Sequence, residues 1–268
     1  MSWWEAALLG LIQGLTEFLP VSSSGHLVLA QHLLGLEASG ITFEVFVHFG
    51  TVLSIVTVYR HRIVELLAGA WAGLIRPAKI PEYYREKADF RFSVFILITM
   101  VPTGLIYVLI DEQLESAFGS PRLTCAMLLV TGTLLLLTLL RKDPEGPLTP
   151  LKSLVIGTAQ AAALIPGISR SGSTICTALY QNVTPEKAAN FSFLMSLPVI
   201  VGATGIEALK LWDVGLSGRL LPILIGTAIA YVAGIAAIRI VLDFVRRGNL
   251  SYFAYYCFAL GGLGLLLL

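Results

Sequence analysis

Charge is scarce in this sequence. Asp, Glu, Lys and Arg make up 13% of its 268 residues, against about 25% in a typical soluble domain. The few charges also balance, with 18 Lys plus Arg against 17 Asp plus Glu and a formal net charge of +1. That balance leaves no basic face or tail for nucleic acid, so no nucleic-acid partner is expected. Cysteine is rare as well. Cys125, Cys176 and Cys257 lie in apolar surroundings without metal-ligand spacing, which argues against a disulfide framework or a cysteine-based zinc site and makes them small core hydrophobes. The first apolar run has no basic stretch ahead of it, contains Glu5 and Glu17, and is followed by no clean small-residue cleavage site. It does not read as a cleavable signal peptide, so insertion is expected to rely on internal spans. A soluble phosphate-binding loop is missing too, since no GxxxxGK[ST] run occurs.

Apolar length is abundant instead. Hydrophobic residues make up 56% of the chain and mean hydropathy is +0.81. Apolar runs lie at about 43–59, 91–110, 123–140, 188–209, 220–242 and 251–268, each near the length of about 20 helical residues that a bilayer requires. Continuous spans should be helical, because unpaired backbone in lipid costs several kcal/mol per group. Two further segments, about 3–34 and 154–182, are apolar at their ends but interrupted by FLPVSSSGHL and IPGISRSGST. Pro, Gly and repeated Ser make a poor continuous helix, so each reads as a helix–loop–helix that enters the membrane and returns on the same side. The expected fold is a single all-α integral membrane domain, 1–268, with about six transmembrane helices and two re-entrant elements.

Charge placement threads these spans. The 60–91 segment carries Arg60, Arg62, Arg76, Lys79, Arg85, Lys87 and Arg91 and is assigned as a cytoplasmic loop. The next span leads out to a short acidic loop with Asp111, Glu112 and Glu115, and the one after returns to Arg141, Lys142 and Lys152. Lys187, Arg246 and Arg247 then fall inside, while Lys210 and Arg219 fall outside as mild exceptions. An internal repeat agrees with this threading. At an offset of 147, Gly10 matches Gly157, Gln13 matches Gln160, Ser22 matches Ser169, Ser24 matches Ser171 and Gly25 matches Gly172. Halves of about 1–145 and 150–268, each a broken element followed by three spans, would be inverted relative to one another. Their broken loops could then meet near the midplane.

The candidate chemistry lies in those loops. Gln13 and Glu17 are four apart, on one helical face ahead of the first break. A carboxylate within a membrane must be paired, protonated or bound to a cation. Glu17 therefore reads as a general base, a ligand of Mg2+ or Ca2+, or a structural contact between helices, and Gln13 as a ligand to freed backbone groups or to the site. Ser22, Ser23, Ser24, Gly25 and His26 put three hydroxyls beside an imidazole. A serine could attack phosphorus with His26 as its base, or His26 could itself be the nucleophile. Backbone N–H groups at the break could form an anion nest. His32 and His48 read as packing or hydrogen-bonded residues, and His61 as a boundary residue. Arg170, between Ser169 and the run Ser171, Gly172, Ser173, Thr174, either pairs with Glu17 in the empty protein or binds an anionic substrate. Its donor fork suits phosphate. Glu44 and Glu207 sit at span ends as boundary or supporting groups, and aromatics near 90–92 and 252–258 fit interface belts or lipid packing. Gly50, Gly104, Gly202 and Gly226 are expected to permit close helix contact. Transport or flipping of a lipid is the competing reading, because broken midplane helices and inverted repeats characterise transporters too.

LTEFLPVSSSGHL at 15–27, with Gln13 ahead of it, and IPGISRSGST at 165–174 resemble the two signatures of the bacterial undecaprenyl-diphosphate phosphatase, or bacitracin-resistance, family. FEVFVHFGT at 43–51 and AANFSFLMSLP at 188–198 are similar to its intervening segments, so the likeness covers essentially the whole chain. The resemblance implies hydrolysis of undecaprenyl diphosphate to undecaprenyl phosphate and inorganic phosphate, which recycles the lipid carrier of peptidoglycan synthesis. It also implies a multi-pass inner-membrane enzyme dependent on a divalent cation, Mg2+ or Ca2+, with interdigitated inverted repeats and a site open to the outer, periplasmic side. A homodimer is compatible with it. By match to the motifs, the family's glutamate pair falls on Gln13 and Glu17, with Gln in the first place, and its serine nucleophile and histidine fall on Ser23 and His26. Its phosphate binders fall on Ser169, Arg170, Ser171 and Thr174. Ser22 and Ser24 lie beside them in the first loop, and Gly25, Gly167 and Gly172 support the turns.

Overall fold

Proline, glycine and capping serines set where the two polar elements break. In the computed structural model the described residues are 1–36, 41–141, 145–211 and 220–268. Helix α1, Trp3–Phe18, opens on Ser2, whose hydroxyl accepts the Glu5 N–H while Glu5 returns a bond to the Ser2 N–H. It stops at Leu19, which is extended (φ −61°, ψ 140°) ahead of Pro20, as the residue before proline prefers. Ser22, with φ 70°, then caps α2, Ser23–Leu33, its Oγ accepting the Gly25 N–H. The second element repeats the device. Helix α7, Pro150–Ala162, runs out ahead of Pro166, Gly167 turns at φ +96°, and Ser169 Oγ accepts the Gly172 N–H to start α8, Arg170–Tyr180. The positive φ at Gly167 is one that side chains rarely adopt, and a Cβ there would meet the Thr124 carbonyl oxygen at 2.3 Å.

The other helices are α3 (Ile41–Ile75), α4 (Ile80–Glu86), α5 (Ala88–Phe118), α6 (Pro121–Leu137), α9 (Pro185–Leu211), α10 (Leu220–Arg247) and α11 (Ser251–Leu267). Among the described residues the fold is all-α apart from an isolated bridge between Gly146 and Val183. By length and composition, four helices in these residues can cross a membrane: Phe43–Ile75, Ala88–Ile110, Pro121–Leu140 and Leu220–Arg247. Helix α11 is a shorter apolar helix, and the expected 188–209 span falls within α9. The chain is thus helix-rich with several long apolar helices, consistent with a multi-pass membrane protein.

Two segments expected as loops are largely helical. In 60–91, α3 continues to Ile75 after a kink at Tyr59, then a 3-10 turn Pro77–Lys79 leads into α4. The acidic stretch after 110 extends α5 past a kink at Ile110 as far as Phe118. Basic and acidic side chains mark membrane sides whether or not the backbone coils, so charge alone gave no helix boundary. Lys142 and Arg219 lie outside the described residues, as do the side chains of Asp111, Glu115, Glu207 and Lys210.

Packing crosses between the two parts of the chain. Helix α1 lies along α10, and α7 lies along α5. Small residues allow both approaches: a Cβ on Gly10 would meet the Gly226 carbonyl oxygen at 2.3 Å, and one on Gly157 would meet Thr99 Cα at 2.6 Å. Gly50 likewise meets the Thr227 carbonyl. Among the described residues nothing lies within 4 Å of a Cβ at Gly104 or Gly202, so neither shows the expected close contact there. The three cysteines are free and buried, as expected of small core hydrophobes. Substituting Gly10→Ala should cost about 1–3 kcal/mol through overpacking, while Gly104→Ala should not destabilise the protein and should gain up to about 1 kcal/mol from helix propensity. Thermal unfolding in detergent compares the two.

Candidate active site

The N-termini of α2 and α8 converge on one carboxylate. Glu17, on the last turn of α1, is 7% exposed. Its Oε2 accepts the Ser23 hydroxyl at 2.6 Å and the Gln13 amide at 3.0 Å, and its Oε1 accepts the Arg170 guanidinium at 2.6 Å. Ser23 and Arg170 are the first residues of α2 and α8, so two helix N-termini with their partial positive charge face the same anion. Arg170 also reaches the Ser192 carbonyl at 3.4 Å. Of the two states foreseen for Arg170, the structure holds the Glu17 pair. The geometry suits an anion-binding centre, with Glu17 holding the place of the anion.

Further hydrogen bonds fix the loops. Ser22 Oγ lies 3.3 Å from Ser24 Oγ, and Ser169 Oγ lies 3.3 Å from Ser171 Oγ. Ser171 Oγ donates across to the Leu19 carbonyl at 3.2 Å, tying the second loop to the first break. Thr174 Oγ1 bonds Ser192 Oγ at 2.6 Å and the Arg170 carbonyl at 2.8 Å. The loops touch closely enough that a Cβ on Gly25 would lie 3.1 Å from Gly167 Cα, and one on Gly172 would lie 3.3 Å from Pro20 Cβ. These glycines keep the loops in contact. A cavity of about 330 Å³ opens beside the pair, with Glu17, Ser23, Ser24, Glu44, His48 and Arg170 among its polar lining and Phe118, Val199 and Ile200 among its apolar lining.

The chain matches the family model described as bacitracin resistance protein BacA over residues 6–263. It belongs to that family. It is 64% identical over 270 residues to the undecaprenyl-diphosphatase of Salinibacter ruber, with all of both chains covered. It is 41% identical over 267 residues to the undecaprenyl-diphosphatase of Syntrophotalea carbinolica, covering 98% of each chain. With undecaprenyl-diphosphatase 1 of Shouchella clausii it shares 36% over 264 residues, covering 96% of this chain and 94% of the relative.

Within this BacA-family site His26 stands apart from the other motif residues. Its Nδ1 lies 2.7 Å from the Ser22 carbonyl and so carries the proton. Its Nε2 lies 2.7 Å from the Tyr256 hydroxyl, and the two rings stack at 5.6 Å. Ser23 therefore hands its hydrogen bond to Glu17, not to His26 as a serine–histidine pair would require. Tyr256, read from sequence as an interface aromatic, is instead the partner of that histidine. His48 keeps a hydrogen bond to the Glu44 carbonyl through Nδ1, as a hydrogen-bonded histidine should, yet its Nε2 also faces Glu17 Oε2 at 4.0 Å across the cavity. The signal for it was present: Glu44 and His48 repeat the four-residue spacing of Gln13 and Glu17. Glu44 accepts from Gln31 at 2.8 Å. Ser192 was signalled only as one of two hydroxyls, with Ser196, in the apolar run AANFSFLMSLP.

The ion pair is costly to leave half made. Arg170→Ala strands a buried carboxylate and should cost about 3–5 kcal/mol, whereas removing both charges in a Glu17→Gln, Arg170→Gln double variant should restore much of the loss. A double-mutant cycle on thermal midpoints measures this coupling; additive effects would contradict it.

Proposed function

We infer that this protein is a phosphatase of the inner membrane that hydrolyses undecaprenyl diphosphate to undecaprenyl phosphate and inorganic phosphate. It is a multi-pass membrane protein, and its reaction returns the lipid carrier to cell-wall synthesis. Full-length identity of 64% to an undecaprenyl-diphosphatase carries the activity. For the residues that perform it, the carrying observation is the Ser23–Glu17–Arg170 arrangement.

In the proposed mechanism the diphosphate headgroup enters the cavity while its prenyl chain stays in lipid. Arg170 turns its donor fork from Glu17 to the terminal phosphoryl group, and the N–H groups opening α2 and α8, with the Ser22, Ser24, Ser169 and Ser171 hydroxyls, offer further donors. Glu17, relieved of its cation, becomes the better base and takes the Ser23 proton along a hydrogen bond already 2.6 Å long. Ser23 Oγ bonds to the terminal phosphorus as the bridging P–O bond breaks, and undecaprenyl phosphate leaves with the electron pair. Water then attacks the phosphoserine, releases phosphate and returns the proton to Ser23 Oγ. Direct attack by water with Glu17 as base uses the same groups. His26, anchored between Ser22 and Tyr256, orients the start of α2 in this scheme.

A divalent cation fits the residues present. Gln13 Oε1 is buried without a hydrogen-bond donor, and beside the Glu17 carboxylate it is the kind of hard oxygen that Mg2+ or Ca2+ prefers. Among the described residues no group of three His, Cys, Asp or Glu side chains could hold a metal, so water and substrate oxygens would complete the shell. Such an ion would lower the charge on the diphosphate.

The topology proposed is six crossings plus two re-entrant elements, α1–α2 and α7–α8, in inverted halves of about 1–145 and 150–268. It places the 60–91 segment in the cytoplasm and the catalytic cavity on the outer side. The matching caps at Ser22 and Ser169, and the exchange of partners between α1 with α10 and α7 with α5, support this reading.

Phosphate release from a C55 prenyl diphosphate by purified protein tests the chemistry. Arg170→Ala and Ser23→Ala should each lose at least about 100-fold in kcat/KM, as for groups acting at the reacting atoms. His26→Ala should lose less, and chelation should abolish release until Mg2+ or Ca2+ is restored. Full activity in Ser23→Ala would shift the attack to water. Topology has its own check: single cysteines introduced in 60–91 and 111–122 should label from opposite membrane sides, over a low background because the native cysteines are buried.

A further inference from the structure

Three of the helices that line the catalytic cavity, α3, α5 and α9, also line a second one farther along their lengths. Helix α3 contributes Glu44 and His48 to the first cavity and Tyr59 and Arg62 to the second; α9 contributes Val199 and Ile200 to the first and Lys187, Asn190 and Leu194 to the second. Helix α5 contributes Phe118 to one and Arg91, Phe92 and Phe95 to the other. Between their facing residues, roughly 16 Å of helix axis separates them on α3 (His48 to Tyr59) and roughly 7.5 Å on α9 (Leu194 to Val199), at about 1.5 Å per residue. The second cavity, of about 520 Å³, therefore lies toward the end of the bundle that carries the basic 60–91 segment.

Its polar lining includes Arg62, Arg91 and Lys187 with the Asn190 amide, and no carboxylate is among the lining residues. Arg62 is committed to Glu65 and Asp89, and lies 5.3 Å over the Phe92 ring. Arg91 spends its bonds on the carbonyls of Tyr84 and Arg85, which neutralise none of its charge. Lys187 has no acidic partner among the described residues, since the neighbouring Glu186 pairs with Arg246. Asn190 accepts the Tyr59 hydroxyl at 2.7 Å, which orients its amide and leaves the nitrogen to donate. Its apolar lining includes Phe92, Phe95 and Leu194. Two cations without carboxylate partners among the described residues and an oriented amide donor, together with aromatic and aliphatic side chains lining the same cavity, match an anionic phosphate group that carries a hydrocarbon chain.

We propose that this second cavity is a binding site for a phosphate monoester, separate from the catalytic cavity, with Lys187, Arg91 and Asn190 as the phosphate donors. The occupant's chemistry is that of a prenyl phosphate headgroup, and free phosphate shares it. The site goes beyond the hydrolytic reading, and its occupancy does not depend on turnover.

Calorimetric titration of the purified, detergent-solubilised protein with farnesyl phosphate, and separately with inorganic phosphate, tests it. The wild type should bind two equivalents of farnesyl phosphate. Lys187→Gln should weaken one of them by about tenfold or more, the loss expected for one charge-assisted hydrogen bond. Lys187→Arg should keep both. Phosphate release from saturating prenyl diphosphate should be unchanged in Lys187→Gln, which shows both that the variant is folded and that the catalytic cavity is untouched. Inorganic phosphate binding the second site as tightly as farnesyl phosphate would identify the free ion as occupant; at least tenfold preference for the prenyl compound would identify the lipid. Farnesyl phosphate binding undiminished in Lys187→Gln, whatever the number of equivalents in the wild type, would overturn the proposal.

Discussion

A carboxylate and a guanidinium, 2.6 Å apart and largely removed from water, are the constraint around which this molecule is arranged. Neither charge could sit alone at this depth. Each of the two breaks in the helical ladder contributes to holding them. Pro20 ends one helix just beyond Glu17, and Ser169 starts another at Arg170. The breaks expose backbone N–H groups that lipid would not tolerate, and the same groups are what an anionic headgroup requires. The polar centre is therefore both the weak point of the fold and its purpose.

Occupancy of that centre is a matter of exchange. In the free protein Glu17 satisfies Arg170, Ser23 and Gln13 together, so the site is preorganised without substrate. In the proposed mechanism an incoming diphosphate competes for Arg170 and so frees Glu17 at the same moment. Substrate binding and base activation would then be one event, with Ser23 unreactive until there is something to attack. His48 Nε2 faces Glu17 Oε2 at 4.0 Å across the cavity.

The helical class, the two breaks and the residues at them were legible in the sequence, because a continuous lipid-facing helix has no place for proline, clustered serines and an isolated arginine together. Pairing of Glu17 with Arg170 was legible as one of two states. Less legible was the direction of the hydroxyl on Ser23: adjacency to His26 in sequence suggested one partner, while the turn at Ser22 presents it to Glu17 on the preceding helix. Tyr256 could not be found, since an exposed tyrosine near a helix start reads as an interface residue whether or not a histidine lies against it. Gly104 and Gly202 show the limit of composition in another way. Glycine permits close packing but does not report whether a neighbour has come near: Gly10, Gly50, Gly157 and Gly226 meet one, while Gly104 and Gly202 meet none among the described residues.

The interlocked packing of α1 on α10 has a bearing on how the protein is made. Glu17 leaves the ribosome 153 residues ahead of Arg170, a delay of about 10–30 s at ordinary elongation rates. The partner surface of α1, around Gly226, follows later still. Through that interval the nascent chain holds a broken helix, an acid without Arg170 and an uncovered small-residue stripe. The arrangement around Glu17 is therefore complete only after Arg170 has been made, and the packing of α1 only after α10 has followed, so a truncated chain cannot retain half of either.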